Sequence, residues 1–190
     1  MFLLALDLET TGLKAEYNEI VQIGAVLLDN KLNAVGTFSS LVSPQWPDRG
    51  LENGFNTYEY SGLNLIEVLE SKSIGVVLDE MEHWIKATVK DMQKIVIFGQ
   101  NPKFDYTFLE WEYKRLGRKF PFDFHVIGLD SLYAVFKFLE TGSLPDKIRQ
   151  KDAAKEFGVE NKKAHDAVED VLTAVSTLKK LCERMKVTNE

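Results

Sequence analysis

The stretch LLALDLETTGL, residues 3–13, constrains this chain more than any other: four apolar residues run straight into Asp7, Leu8 and Glu9, then two threonines and a glycine. The apolar run reads as a buried strand. A lone ionised carboxylate in an apolar setting is strongly unfavourable unless something compensates it. In an extended chain residues two apart share a face, so Asp7 and Glu9 aim one way and Leu6 and Leu8 the other. Two acids side by side repel each other unless a cation neutralises them, and hard oxygen ligands suit Mg²⁺ or Mn²⁺. The alternative is a pair of solvated acids at a strand end, and the pair alone does not decide.

The rest of the chain sets the context. Apolar runs at 2–6, 20–28 and 34–42 predict three strands, the last two a hairpin toward one edge with a turn at Asp29-Asn30-Lys31. Residues 43–64 hold two prolines and three glycines without periodicity and read as a long loop, followed by a short helix at 63–70; loops of that length are often functional. The spacing Val77, Met81, Trp84, Ile85, Thr88 is that of an amphipathic helix. KIVIFG (94–99) is a short buried strand, and Asn101-Pro102 supplies an N-cap and a first-turn proline for a helix to about Leu116. VIGLD (126–130) predicts another strand, followed by helices near 131–140, 147–157 and 166–185, with Gly158 a helix stop. Strands alternating with helices after a hairpin make a single α/β domain over 1–190, with a mixed sheet whose sites form at the carboxyl ends of its central strands.

Two further segments carry acids into that position. Asp105 falls in the first turn of the helix that follows KIVIFG, where the helix dipole favours an acid whatever its role. Phe104 and Phe108 flank it at helical spacing, so this carboxylate lies close to a packed face and wants a partner. In KKAHDAVEDV (162–171), His165 and Asp170 are about 140° apart on an ideal helix and do not share a face. Asp166 and Glu169 resolve this as a capping box, which leaves His165 ahead of the helix and Asp170 in its opening turns. A histidine so placed beside several acids is a general-base candidate.

Composition narrows the classes. A net charge of −6 argues against a protein that coats long nucleic acid with a basic face, but not against a small site for a strand end. The single Cys182 rules out an internal disulfide framework and sits in a core-facing helical pattern. MFLLALD lacks the basic flank and long apolar region of a signal peptide, and no run is long enough to span a membrane, so a cytoplasmic location is expected. P-loop, zinc-ligand and GxSxG patterns are missing. Lys114, Arg115, Arg118 and Lys119 read as ordinary cations at a helix C-terminus; Lys162 and Lys163, beside His165, lean toward a functional role. Trp46, Phe55, Tyr58 and Tyr60 could stack on bases or pin the loop to the core, and both readings stay open.

Taken in order, DLETTGL, NPKFD and HDAVED resemble the three signature motifs of the DEDD 3′–5′ exonuclease superfamily, and the His-bearing third motif is that of its DnaQ-like (DEDDh) branch. VIGLD followed by SLYAVF, and the approach KDAAKEFGVENKKAHDAVEDV, are also similar. The resemblance implies a ribonuclease H-like three-layer fold, a central mixed five-stranded sheet flanked by helices. It implies two Mg²⁺ ions, with Mn²⁺ able to substitute: Asp7, Glu9 and Asp170 as ligands of the first, Asp7 bridging to the second, and Asp105 the remaining acid. Four carboxylates and two dications nearly cancel in charge, which would compensate the acids at the strand end. His165 would deprotonate the attacking water in an in-line displacement that releases nucleoside 5′-monophosphates. Thr10, Thr11 and Gly12 would form the turn whose backbone approaches the terminal nucleotide, with Leu13 wedged against its base, and Asn101 matches a frequent asparagine of the second motif. Gln100 stands where relatives often have histidine, and 43–93 does not align.

The implied partner is the 3′ end of single-stranded DNA or RNA. DNA is favoured because DLETTG is closer to the proofreading type, and trimming of RNA ends or short oligoribonucleotides is the alternative. No residue can be assigned to reading the 2′-hydroxyl. A polymerase or other replication or repair partner is open; no tethering tail is apparent after Met185.

Overall fold

A computed structural model describes residues 1–54, 56–161 and 166–187. Strands β1 (Phe2–Thr10), β2 (Ile20–Leu28) and β3 (Ala34–Ser43) come first. A 3₁₀ segment (Pro47–Gly54), helices α1 (Thr57–Tyr60) and α2 (Leu65–Leu69), strand β4 (Lys72–Ser73) and helix α3 (Ile74–Lys86) follow. The second half holds β5 (Ile95–Gly99), α4 (Pro102–Arg115), β6 (Val126–Gly128), α5 (Leu129–Thr141), α6 (Gln150–Glu156) and α7 (Ala167–Val187).

The strands form one mixed sheet in the order β4-β3-β2-β1-β5-β6. β1, β2 and β3 are antiparallel neighbours, whereas β5 runs parallel to β1, and β6 parallel to β5. Alternation along β1 splits the core in two. Leu4, Leu6 and Leu8 face α3 and α4 through Val77, Met81, Phe108 and Leu109. Leu3 and Ala5 face α5 and α7 through Leu129, Val171, Val175 and Leu178. Helices on both faces bury β2 along its whole length, the condition under which a strand reads as a continuous apolar run. The layers are those expected, but the sheet has six strands rather than five. The sixth, β4, is a two-residue edge pairing of Val42 and Ser43 with Lys72 and Ser73, too short to leave an alternating pattern.

Other boundaries move for local reasons. β1 continues to Thr10 because β2 pairs with it as far as Ile20, with a register slip between Glu9 and Thr10. The 43–64 stretch is not a plain loop: the 3₁₀ segment and α1 lie inside it, both too short to show a period. α3 starts at Ile74, ahead of the expected Val77, and VIGLD yields a strand only to Gly128 before α5 begins. Asn101 sits at the N-cap of α4 without making a side-chain cap bond. Gly158 does stop α6, with φ +62°.

Candidate active site

β1 delivers two carboxylates on the α7 side of the sheet, in line with Leu3 and Ala5, and α7 delivers a third. Two residues of β2 bring α7 there. Gly24 pairs with Asp7, and a methyl group at its Cβ would lie 2.3 Å from the backbone carbon of Ala167, so only glycine lets the start of α7 seat so close. Gln22, opposite Glu9, accepts from the Ala167 N–H at 3.3 Å. Asp166 caps the same end, accepting from the Glu169 N–H at 3.4 Å, which is the aspartate half of the expected capping box. Asp7, Glu9 and Asp170 thereby each offer a carboxylate oxygen, all within 4.8 Å of one another.

The fourth acid enters from the other face. β5 pairs with β1 only from Phe2 to Ala5. Beyond that point the Leu8 N–H donates to Oδ1 of Asp105 at 3.0 Å. Asp105 is buried at 5 % exposure and stands outside the three-acid group, held by the strand between its two carboxylates.

Such packing makes ionisation costly. Burial, and after it repulsion from Asp105, Asp170 and Glu9, holds the Asp7 carboxyl well above the ordinary carboxylate range. Burial pushes Glu9 up to about 7 against the opposing hydrogen bond from Ser61. Burial likewise pushes Asp105 up to about 7, opposed by the Leu8 N–H. Like charges crowded this closely, with oxygen-only donors, fit a hard divalent cation, whose charge would relieve the repulsion.

Three contacts to these acids come from residues that sequence reading passed over. The Ser61 hydroxyl donates to Oε2 of Glu9. The Asn161 amide donates to Oδ1 of Asp170 at 2.5 Å, and Gln150 donates to the Asp170 carbonyl at 2.8 Å. Of the residues that seat α7, only Gly24 left a readable signal, a glycine in the middle of a mostly apolar strand.

Past Glu9 the chain closes into a loop. Thr11 N–H donates to the Glu19 carbonyl at 2.8 Å and its Oγ1 accepts the Glu19 N–H at 3.0 Å. Asn18 closes the loop by accepting from the Lys14 N–H and donating to the Thr11 carbonyl. Thr10 Oγ1 donates to the Gly12 carbonyl at 2.6 Å, and Leu13 projects into solvent at 85 % exposure. A cavity of about 340 Å³ lies beside this loop, lined by Thr11, Gly12, Leu13, Tyr17, Arg49 and Glu52 among others; the acids are not on its lining. The Arg49 guanidinium stands 4.1 Å from the ring centres of both Tyr17 and Trp46.

The remaining sequence candidates divide. Tyr58 pins the 43–64 stretch, buried at 1 % exposure, whereas Trp46 and Tyr60 stay exposed. The α4 cations are engaged structurally: Arg115 with Glu19 and Glu112, Arg118 with Asp79, and Lys114 over the Trp111 ring. Cys182 is partly buried against the α7 core. Asn101 is exposed. His165, Lys162, Lys163 and Phe55 lie outside the described residues. Among the described residues, no helix is long and apolar enough to cross a membrane.

Comparison with known proteins extends the likeness over the chain. The sequence model of the RNase_T exonuclease family matches residues 4–178. DNA polymerase III subunit epsilon of Treponema pallidum is 29 % identical over 166 residues, which cover 87 % of this chain and 69 % of that protein. Among solved structures, cell-death related nuclease 4 superposes with a TM-score of 0.79 at 19 % identity, over 96 % of this chain and 64 % of that one. The nuclease domain of 3′hExo, a DEDDh family member bound to rAMP, superposes with a TM-score of 0.73 at 17 % identity, over 96 % of this chain and 92 % of that one.

Proposed function

From the premise that the chain belongs to the DEDDh (DnaQ-like) exonuclease family of the ribonuclease H-like superfamily, we propose that it removes nucleoside 5′-monophosphates from the 3′ end of single-stranded nucleic acid. The observation that carries the reading is the meeting of Asp7, Glu9 and Asp170 within 4.8 Å, with Asp105 anchored to the backbone between the first two. In this reading Asp7, Glu9 and Asp170 would hold one divalent ion, and Asp7 with Asp105 would help hold a second. Mg²⁺ is the expected metal, with Mn²⁺ substituting. Such ions lower the pKa of a bound water and stabilise charge on the oxygens around phosphorus.

The chain's own residues do the rest. His165, just ahead of the α7 cap at Asp166, takes the proton of the attacking water. The turn Thr10-Thr11-Gly12 presents backbone to the terminal nucleotide, and exposed Leu13 is free to pack against its base. Asn101, exposed at the N-cap of α4, is within the same end of the sheet.

DNA is the favoured polymer: the Treponema relative is a subunit of a DNA polymerase. Trimming of RNA ends or short oligoribonucleotides is the second reading, and the rAMP-bound structural neighbour favours keeping it. A polymerase or another replication or repair protein is the partner class that accompanies the first reading.

The deciding experiment is a time course on 5′-labelled single-stranded DNA and RNA of one sequence, with Mg²⁺, with Mn²⁺ and with EDTA, beside Asp7→Ala. The expected result is a metal-dependent ladder shortening from the 3′ end, faster on DNA and lost in the variant. Metal-independent shortening, or none on either polymer, would overturn the reading.

A further inference from the structure

Helix α1 is four residues long, far below the length at which a helix holds itself in water, so its contacts must hold it. Tyr58 anchors its middle: the ring packs with Val21 and Val68, and its hydroxyl donates to the Pro47 carbonyl at 2.9 Å. Gly50 lies so tightly against this ring that an added Cβ would come within 2.6 Å of it. The two ends of α1 then reach β1 and its continuation. Thr57 Oγ1 lies 2.7 Å from the Gly50 carbonyl and 3.4 Å from the Thr11 carbonyl. Ser61, the C-cap residue, is 2 % exposed and donates to Oε2 of Glu9.

We infer that α1 is a brace on the carboxylate-bearing end of β1, and that Ser61 is a positioning residue that fixes the Glu9 carboxylate for its cation. The inference rests on the reading of Glu9 as a metal ligand. One hydroxyl proton serves one acceptor, so the Ser61 bond holds Oε2 and with it fixes the plane of the carboxylate that offers an oxygen to the group with Asp7 and Asp170. A carboxylate without that bond would have to be oriented at the moment of metal binding, and loss of such a partner typically weakens metal affinity by 10–100-fold. The brace also gives the 43–64 stretch a task that its irregular sequence hides: it carries a buried hydroxyl to one particular oxygen.

The test is direct Mn²⁺ binding to the full chain, followed by the paramagnetic resonance of the free ion, with thermal unfolding measured alongside. Wild type, Asp7→Ala, Ser61→Ala and Ser61→Thr are compared. Ser61→Ala is expected to bind Mn²⁺ about ten-fold more weakly or worse, with an unfolding temperature near wild type, and Ser61→Thr to recover most of the affinity. At saturating Mn²⁺ the Ser61→Ala turnover should approach wild type, because the defect lies in binding the ion. Should Ser61→Ala not fold, Ser61→Gly, which also removes the hydroxyl donor, carries the same comparison. Wild-type Mn²⁺ affinity in a folded alanine or glycine variant overturns the brace. A wild-type protein whose Mn²⁺ binding is no stronger than that of Asp7→Ala overturns the metal reading beneath it.

Discussion

The backbone N–H of Leu8 donates to Oδ1 of Asp105 across 3.0 Å, so the peptide between Asp7 and Glu9 grips the acid that α4 carries in. A strand edge released by the end of β5 would otherwise bury an unpaired N–H. Asp105 thus has a structural task apart from any metal, and the two tasks separate by mutation. Asp105→Asn keeps an acceptor for Leu8 and loses the charge; it is expected to unfold near the wild-type temperature and to lose activity. Asp105→Ala leaves the Leu8 N–H unpaired and should cost about 1–3 kcal/mol of stability in urea unfolding. Equal stability of the two variants would show that the bond does not hold the strand.

The buried carboxyls tie stability to pH. Glu9 and Asp105 titrate from about 7 in the folded chain, above their ordinary values of 4.5 and 3.8. Between those values the folded state binds more protons than the unfolded one, so stability falls as pH rises. The metal-free protein is expected to lose unfolding temperature steadily from about pH 5 to pH 7.5, and Mg²⁺ to restore most of it at the upper end. A flat or rising profile without metal contradicts the cost assigned to these acids.

Gly24→Ala tests the seating of α7. The added methyl would lie 2.3 Å from the backbone of Ala167, so the helix start must move and take Asp170 with it. The expected outcome is a stability loss of about 1–3 kcal/mol together with loss of Mn²⁺ binding. Gly75→Ala, in the first turn of α3 with its nearest neighbour 3.8 Å away, should leave binding unchanged and stability unchanged or improved.

His165→Ala should lower kcat by roughly 10²–10⁴-fold while Mn²⁺ binding stays near wild type. Near-full activity in the variant would remove the histidine from the proton transfer.

Affinity for single-stranded DNA should depend only weakly on salt. Contact with two or three phosphates at a strand end predicts a log–log slope of about −1.4 to −2.1, from roughly −0.7 per phosphate neutralised on a single strand. A much steeper slope would mean that a long groove, not an end, is being bound.

The acids were legible because their surroundings are periodic. Alternation along residues 2–9 put Asp7 and Glu9 on one face, the strand-to-helix junction at Gly99 put Asp105 where a central strand ends, and the capping signal at Asp166 put Asp170 in the opening turns of a helix. What the sequence concealed depends on contacts between distant segments. Ser61 and Asn161 each touch an acid 52 and 9 residues away, and nothing in their neighbours' spacing marks the meeting. The 43–64 stretch misled for a related reason: α1 is held by Tyr58, Thr57 and Ser61 rather than by a helical period of its own. Gly24 was visible as an oddity in β2, but what it makes room for is known only once α7 is laid across it. The basic cluster at the end of α4 was legible, and its two arginines, Arg115 and Arg118, went into ion pairs with Glu19, Glu112 and Asp79.

The sheet finishes on both sides in strands of two and three residues, β4 and β6. Unpaired edges are where one chain can recruit the backbone of another, and β4 covers only Val42 and Ser43 of β3, so among the described residues no strand pairs the outer edge of β3 from Ala34 to Leu41. Any association between copies through shared strands would therefore have to start on β3, because β4 and β6 are too short to serve as templates.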